Sequence, residues 1–403
     1  MIWPTGSDAS VIVGARRTPI GRFLGALSGQ SAVDLGVHAV RSLLDGLAAD
    51  LTIRHLVFGQ ARQAGSGPNP ARQIAYRSGL GPTCVAQTLN MACASGLEAV
   101  LAGARLIALG EADAVVVGGT ESMSRVPFLL EGVRTGYRLG HAPLVDGMYR
   151  DGFHCPLAGE VMGRTAETLA RAYGISREEQ DAYALESQRR AAAARDAGKF
   201  LDEIVPVETA GRGGPALVES DEHLRPETTL ASLAALDPVF ASDGSVTAGN
   251  SSGITDAAAA LVVVRRRVAD DLGLAVLARV EASESAGVDP KIMGVGPVPA
   301  VKELFRRTGL SMNDMDVIEL NEAFAAQVLA VDRELDLPRE RMNPNGGAIA
   351  LGHPIGASGA RILVTLIHEM VRRKARRGLA TLCVSGGLGL AVTLVREEKG
   401  EGA

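Results

Sequence analysis

Short runs of β-branched and aliphatic residues alternate along the chain with longer apolar stretches of helical spacing, and glycine bounds most of the short runs. SVIVGA (10–15), RHLVFG (54–59), ADAVVVGG (112–119), DVIELN (316–321) and ATLCVSGG (380–387) predict buried strands, because so continuous an apolar run faces the interior on both sides. LEAVLAGARLIALGE (97–111) and ARILVTLIHEMVRRKAR (360–376) predict helices. Strand and helix in alternation imply an α/β architecture with mostly parallel sheets.

The pattern also repeats. ASG at 94–96 is followed by an alanine-rich helix and the strand ADAVVVGG, and ASG at 357–359 by a helix and the strand LATLCVSGG. Earlier in each half a helix leads into a strand, in VRSLLDGLAADLTIRHLVFGQ and in VKELFRRTGLSMNDMDVIELNE, so the duplication spans more than one element. Between the copies, residues 123–246 break the pattern. Rich in charge and glycine, with TAGRGGPALVESDEHLRPETT at its centre, this stretch reads as an insertion, the kind of segment that commonly carries substrate contacts. The expected partition is an N-terminal core domain of 1–122 plus 247–272, an inserted loop domain of 123–246, and a C-terminal core domain of 273–403.

Composition narrows the function classes. The 403 residues carry a formal net charge of −5 with 46% hydrophobic residues, which gives no general pull toward nucleic acid or an anionic membrane. The arginine runs at 265–267 and 372–377 end apolar segments and read as helix ends or solvent-facing charge. Cysteines 84, 93, 155 and 383 lie far apart without a C-x-x-C pair, so neither a zinc site nor a disulfide framework is expected. Reduced thiols fit a cytoplasmic protein. MIWPTGSDAS at the start lacks a basic region and apolar core, and runs such as AAAALVVV (257–264) are too short to span a bilayer. The final EGA is not a peroxisomal address.

Two reactive side chains occupy equivalent places in the copies. Cys93, in NMACASG, and His353, in GHPIGASGA, each stand just before an ASG-type helix. A thiol at a helix N-terminus is expected to have a lowered pKa, and a nearby imidazole would take its proton. The stretch NPNGGAIALGHPIGASGAR (343–361) spends five glycines and two prolines around His353, which predicts a rigid, close-approach loop. It contains no dinucleotide fingerprint and no serine-hydrolase elbow.

NMACASG, NEAF (321–324), GHPIGASGAR and CVSGGLG (383–389) resemble, in order and spacing, the four signature blocks of the thiolase family. VGARRTPIGRFLGAL, VMGRTAETLA (161–170) and VTAGNSSGITDAAAA (246–260) are similar to it too, so the resemblance covers nearly the whole chain. It implies a duplicated five-layered αβαβα core with an inserted loop domain, assembled as a homodimer or homotetramer. The implied activity is ping-pong acyl transfer between acyl-CoA and CoA, with CoA thioesters as substrates and neither a permanently bound cofactor nor a metal. By the resemblance, Cys93 is the acylated nucleophile, His353 its base, and Cys383 the acid/base for the α-carbon of acetyl-CoA. Asn321 holds a water that forms an enolate oxyanion hole with His353, and the backbone N–H groups of Cys93 and Ser385 form the hole for the acyl intermediate. Ser252 is placed near pantetheine, Arg225 near adenine, and Met162 and Met293 at the acyl pocket.

The chain departs from the family at Ser385 and Ala257, where glycine is usual. Serine does not readily take φ > 0, which puts the backbone angle of the second-cysteine block in question. Val161 replaces a histidine frequent in biosynthetic members and leans toward a β-oxidation type within fatty acid metabolism. Two alternatives differ in class: a decarboxylating ketoacyl-synthase-type enzyme, which would carry two histidines instead of Cys383, and a non-catalytic thiolase-like lipid or CoA carrier.

Overall fold

In the computed structural model, which describes residues 1–211 and 214–396, the repeat becomes two half-sheets of matching topology. Strands β1 (Ser10–Arg17), β2 (His55–Gly59), β3 (Val85–Leu89), β4 (Ala114–Ser122) and β5 (Thr255–Arg265) lie in the order β3-β2-β4-β5-β1. In it β2 is parallel to β3 and β4, while β5 is antiparallel to β4 and β1. Strands β6 (Ala278–Gly287), β7 (Val317–Leu320), β8 (Arg377–Val384) and β9 (Leu388–Val395) repeat this as β7-β8-β9-β6, with β7 parallel to β8 and β9 antiparallel to both neighbours. A parallel bridge from Ile318 to Met342 stands where the first half has β3. The halves join through β1 and β6 at Val11–Arg279 and Ile12–Ala278.

The sheets are therefore mixed rather than mostly parallel. In the second half β8 turns straight back into β9 through Ser385, Gly386 and Gly387, and a strand reached by so short a turn is necessarily antiparallel. The predicted strand 380–387 accordingly ends at Val384. In the first half the same corner, between β4 and β5, is occupied by the whole excursion from 123 to 254.

Helices α1 (Ala32–Leu44), α2 (Ser95–Ala108), α3 (Met162–Ala172), α4 (Arg177–Asp196), α5 (Pro297–Thr308), α6 (Ala325–Leu335) and α7 (Ile355–Arg373) complete the layers. A capping box between Ser31 and Asp34 starts α1, which packs on the outer face of the first half-sheet. α5 and α6 cover the outer face of the second, together with α3 and α4 of the insertion. α2 and α7 lie between the half-sheets, which explains why both are apolar around most of their circumference. Both begin earlier than the apolar period suggests, α2 by two residues and α7 by five, so that Ser358 and Gly359 belong to the first turns of a helix rather than to a loop. A short helix, Ala348–Leu351, also falls within the predicted loop.

The two central helices meet at backbone distance. A Cβ on Gly96 would lie 2.8 Å from the Ala360 nitrogen, and one on Gly359 would lie 2.6 Å from the Leu97 nitrogen. The repeated ASG is thus a contact surface: each glycine admits the other helix's backbone. The sheet approaches as closely, since a Cβ on Gly119 of β4 would lie 2.2 Å from the Gly356 carbonyl oxygen. Overpacking of this kind costs about 1–3 kcal/mol. Gly119→Ala should therefore lower the urea midpoint, with an unchanged slope, by an amount corresponding to that range.

Candidate active site

The N-termini of α2 and α7 deliver the first pair of reactive groups. Before α2 the chain turns sharply, and Ala92 takes a left-handed conformation at φ 45°, which an alanine adopts only under constraint. Local hydrogen bonds supply it: the Ala92 N–H donates to Asn90 Oδ1 (2.9 Å), the Met91 N–H to Ser95 Oγ (2.9 Å), and the Ser95 hydroxyl to the Ala92 carbonyl (2.7 Å). Cys93 follows directly. Before α7, Gly352 at φ 106° and Pro354 bracket His353, whose backbone N–H donates to the Gly253 carbonyl (2.9 Å).

The result is a Cys93 Sγ 3.3 Å from His353 Nε2. On the far side of the ring, Nδ1 lies 2.6 Å from Ser358 Oγ. The Ser358 hydroxyl has one proton and donates it to the Pro354 carbonyl at 3.0 Å, so it accepts from Nδ1–H. This network assigns the tautomer: the Nε2 lone pair faces the thiol. Glu121, at the end of β4, accepts the Gly356 N–H in the first turn of α7 (2.8 Å) and the N–H groups of Ala61 (3.1 Å) and Arg62 (3.0 Å).

Burial dominates the electrostatics. It pushes the Cys93 thiol up, against the charge of Arg62 and the N–H groups of Ser385 and of Cys93 itself. The lowered pKa expected from the helix terminus is not found, because desolvation of a thiolate here outweighs the dipole. Burial, with the charges of Arg361 and Arg62, also holds His353 down to about 3. The resting pair is neutral thiol and neutral imidazole.

Cys383 sits one residue before the end of β8, buried with Met293 and Ala323 and against Met162 and Phe324. Burial, and then the neighbouring Cys93, push its pKa far above the ordinary thiol value. Ser385 follows in the turn. The left-handed angles of that turn fall on Gly386 (φ 92°) and Gly387 (φ 85°) and not on Ser385, so the substitution for glycine brings no strain of that kind. Ala257 is buried in β5 and packs in the core beside Ile20 and Leu351.

A cavity of about 360 Å³ gathers Cys93, His353, Cys383, Ser385, Ser252, Arg225, Met162 and Met293 on its wall. Cys84 and Cys155 are buried elsewhere. Asn321 is not on that wall. It lies behind it at the end of β7, 1% exposed, with its N–H on the Thr381 carbonyl and both side-chain polar atoms without a protein partner. A buried amide so placed has capacity to bind a water. Among the described residues no group of three or more His, Cys, Asp or Glu is arranged to hold a metal.

Several residues of the site are silent in the sequence. Ser358 and Glu121 act on His353 and on the start of α7 through contacts that only the folded chain creates. Glu322 of NEAF, 1% exposed, is a clamp: it accepts from Tyr183 and Ser187 of α4 (2.7 Å each), from Asn343 (3.0 Å) and from the Ile349 N–H (3.1 Å). His223 lies so close to Gly253 that a Cβ there would be 2.3 Å from its ring, and it lines the cavity next to Arg225.

Comparison with known proteins gives the family that the sequence blocks resemble. Residues 10–267 match the model of the thiolase N-terminal domain and residues 274–396 that of the thiolase C-terminal domain. The chain is 51% identical over 389 residues to the acetyl-CoA acetyltransferase of Pseudomonas aeruginosa, spanning 96% of this chain and 99% of that protein. It is 52% identical to the probable acetyl-CoA acetyltransferase of Escherichia coli, with the same coverage. Human mitochondrial 3-ketoacyl-CoA thiolase superposes with a TM-score of 0.94 at 41% identity, over 96% of this chain and 99% of that one. The chain belongs to the thiolase family of acyltransferases.

A neutral resting pair has a measurable signature. The thiolate absorbance of Cys93, taken as the difference between the protein and Cys93→Ser, should rise only above the ordinary thiol value of about 8.5. A plateau of thiolate already present at pH 6 would mean that an ion pair with His353 forms instead.

Proposed function

We propose that the chain catalyses CoA-dependent cleavage of 3-ketoacyl-CoA and the reverse Claisen condensation, by a ping-pong mechanism through an acyl-cysteine. The observation that carries the reading is the 3.3 Å contact of Cys93 Sγ with an Nε2 lone pair, in a cavity that also holds the second thiol, Cys383.

In cleavage, His353 takes the Cys93 proton as the sulfur attacks the 3-keto carbon. The C2–C3 bond then breaks, the acyl group stays on Cys93, and the electron pair leaves as the enolate of acetyl-CoA. Cys383 protonates that carbon; a thiol held protonated by burial is in the state this acid needs. CoA thiol, its proton passing to Cys383, attacks the acyl-cysteine, and Cys93 recovers its proton from His353. Charge accumulates on oxygen at both stages. The N–H groups of Cys93 and Ser385 serve the acyl stage, and His353 with a water on Asn321 serves the enolate. Two thiols are needed because one stores the acyl group while the other moves a proton.

Ser252 and Arg225 contact the CoA arm, and Met162 and Met293 the acyl side. Human mitochondrial 3-ketoacyl-CoA thiolase in complex with CoA, 40% identical, supports the CoA assignment. The reading includes the partition into 1–122 with 247–272, 123–246 and 273–403, a homo-oligomeric assembly and a cytoplasmic setting. No helix among the described residues is long and apolar enough to cross a membrane. Val161 favours a degradative role in fatty acid metabolism.

The division of labour is testable by step. Cys383→Ala should still gain one acyl mass on the peptide containing Cys93 when mixed with acetyl-CoA, while thiolysis of acetoacetyl-CoA falls by about 10²- to 10⁴-fold. Cys93→Ala should lose both acylation and thiolysis. Equal loss of acylation in the two variants, with intact folds, would overturn the separation of roles.

A further inference from the structure

Arg62 is a charged cavity residue to which the reaction above gives no task. It follows β2 at the third residue past Gly59, is 8% exposed, and lines the cavity together with Cys93, Tyr149, Gly152, Phe153 and Ile355. Its Nε is buried without a partner, and among the described residues its guanidinium makes no hydrogen bond or ion pair. Glu121 feels its charge, but that carboxylate spends its oxygens on the backbone N–H groups of Ala61, Arg62 and Gly356.

Of the other deeply buried arginines two are fully paired, and Arg361, without a hydrogen bond, at least faces a carboxylate. Arg17 is held by Glu203 and Asp221 at 2.7 Å each, Arg265 by Asp113 and Asp8, and Arg361 faces Glu319 at 3.8 Å. Arg62 alone of these lies on a cavity wall, and the fold makes room for it: a Cβ on Gly152 would lie 2.5 Å from its Nε. A desolvated cation in a chamber walled largely by apolar side chains is unfavourable unless an anion joins it. A planar guanidinium matches a carboxylate in two-pronged fashion.

The two thiols pack against different parts of the wall. Cys93 is in contact with the cluster of Ala61, Met123, Met148 and Ile355, whereas Cys383 belongs to that of Met293 and Ala323. Arg62 stands beside the sulfur proposed to carry the acyl chain. We propose that Arg62 forms an anion subsite at the part of the cavity wall against which Cys93 packs, and that the acyl chain transferred to Cys93 ends in a carboxylate that pairs with it, making the substrate a short 3-ketodiacyl-CoA. This rests on the thiolase reaction proposed above.

The test compares two substrates of equal chain length, 3-oxoadipyl-CoA and 3-oxohexanoyl-CoA, with acetoacetyl-CoA as control. The wild-type ratio of kcat/KM should favour the carboxylate by at least about 10²-fold, since a site built around a polar partner rejects the analogue lacking it. In Arg62→Leu that ratio should fall to about one or below, and Arg62→Lys, which keeps the charge without the fork, should retain part of it. The ratio separates recognition from mere activation of Cys93, which changes both rates together. Cleavage of acetoacetyl-CoA without a wild-type preference for the carboxylate overturns the inference alone. So does an equal loss for both substrates in Arg62→Leu, or a rise confined to the KM for CoA. If Arg62→Leu does not fold, the wild-type ratio and Arg62→Lys decide. Absence of cleavage of all three substrates overturns the underlying reaction and the inference with it.

Discussion

The contact on which the rest of the molecule depends is the backbone-to-backbone approach of α2 and α7. Gly96 and Gly359 admit the facing helix to within van der Waals distance of its main chain, and Gly119 lets the sheet follow. Nothing larger than glycine keeps that spacing, and the spacing sets where the two helices begin. Because Cys93 and His353 each stand just before those first turns, a packing constraint in the core becomes a 3.3 Å contact between chemical groups at its surface.

Burial then gives those groups their electrostatic character. The same desolvation raises both thiols and lowers the imidazole, so the resting site carries no ion pair between Cys93 and His353. The nucleophile is made only when the proton moves, and the network through Ser358 and Pro354 keeps the ring in the tautomer able to receive it. Arg62 is the counterweight: its charge favours the thiolate of Cys93 and disfavours the imidazolium of His353.

The insertion between β4 and β5 is tied to this core by buried polar groups as well as by apolar packing. Glu322 joins α4 to the end of β7 and to the glycine-rich stretch before His353. Removing one such partner would leave several buried donors unmatched, which is why an acidic residue is held there among hydrophobic neighbours. The wall of the cavity is thereby assembled from both halves and the insertion at once.

Apolar runs and their periods determined five of the strands, the two central helices, the duplication and the place of the excursion, since these depend on local burial and repeat along the chain; β3, β5, β6 and β9 emerged only in the folded sheet. Reactive residues stood out where an unusual side chain met a helix start, as at Cys93 and His353, and the resemblance of the surrounding blocks extended this to Cys383 and Asn321. Strand direction was not legible, because a continuous apolar run is the same whether its neighbour runs parallel or antiparallel; the turn at Ser385–Gly387 decided it. Nor was the pKa of Cys93: a helix terminus is visible in sequence, but desolvation depends on what the other half-sheet and the insertion bring around it. Ser358, Glu121, Glu322 and Arg62 look like ordinary polar residues along the chain. Only the folded structure made them part of a site, by placing Glu121 and Glu322 against partners distant in sequence, Ser358 against His353 within one helix start, and Arg62 against none.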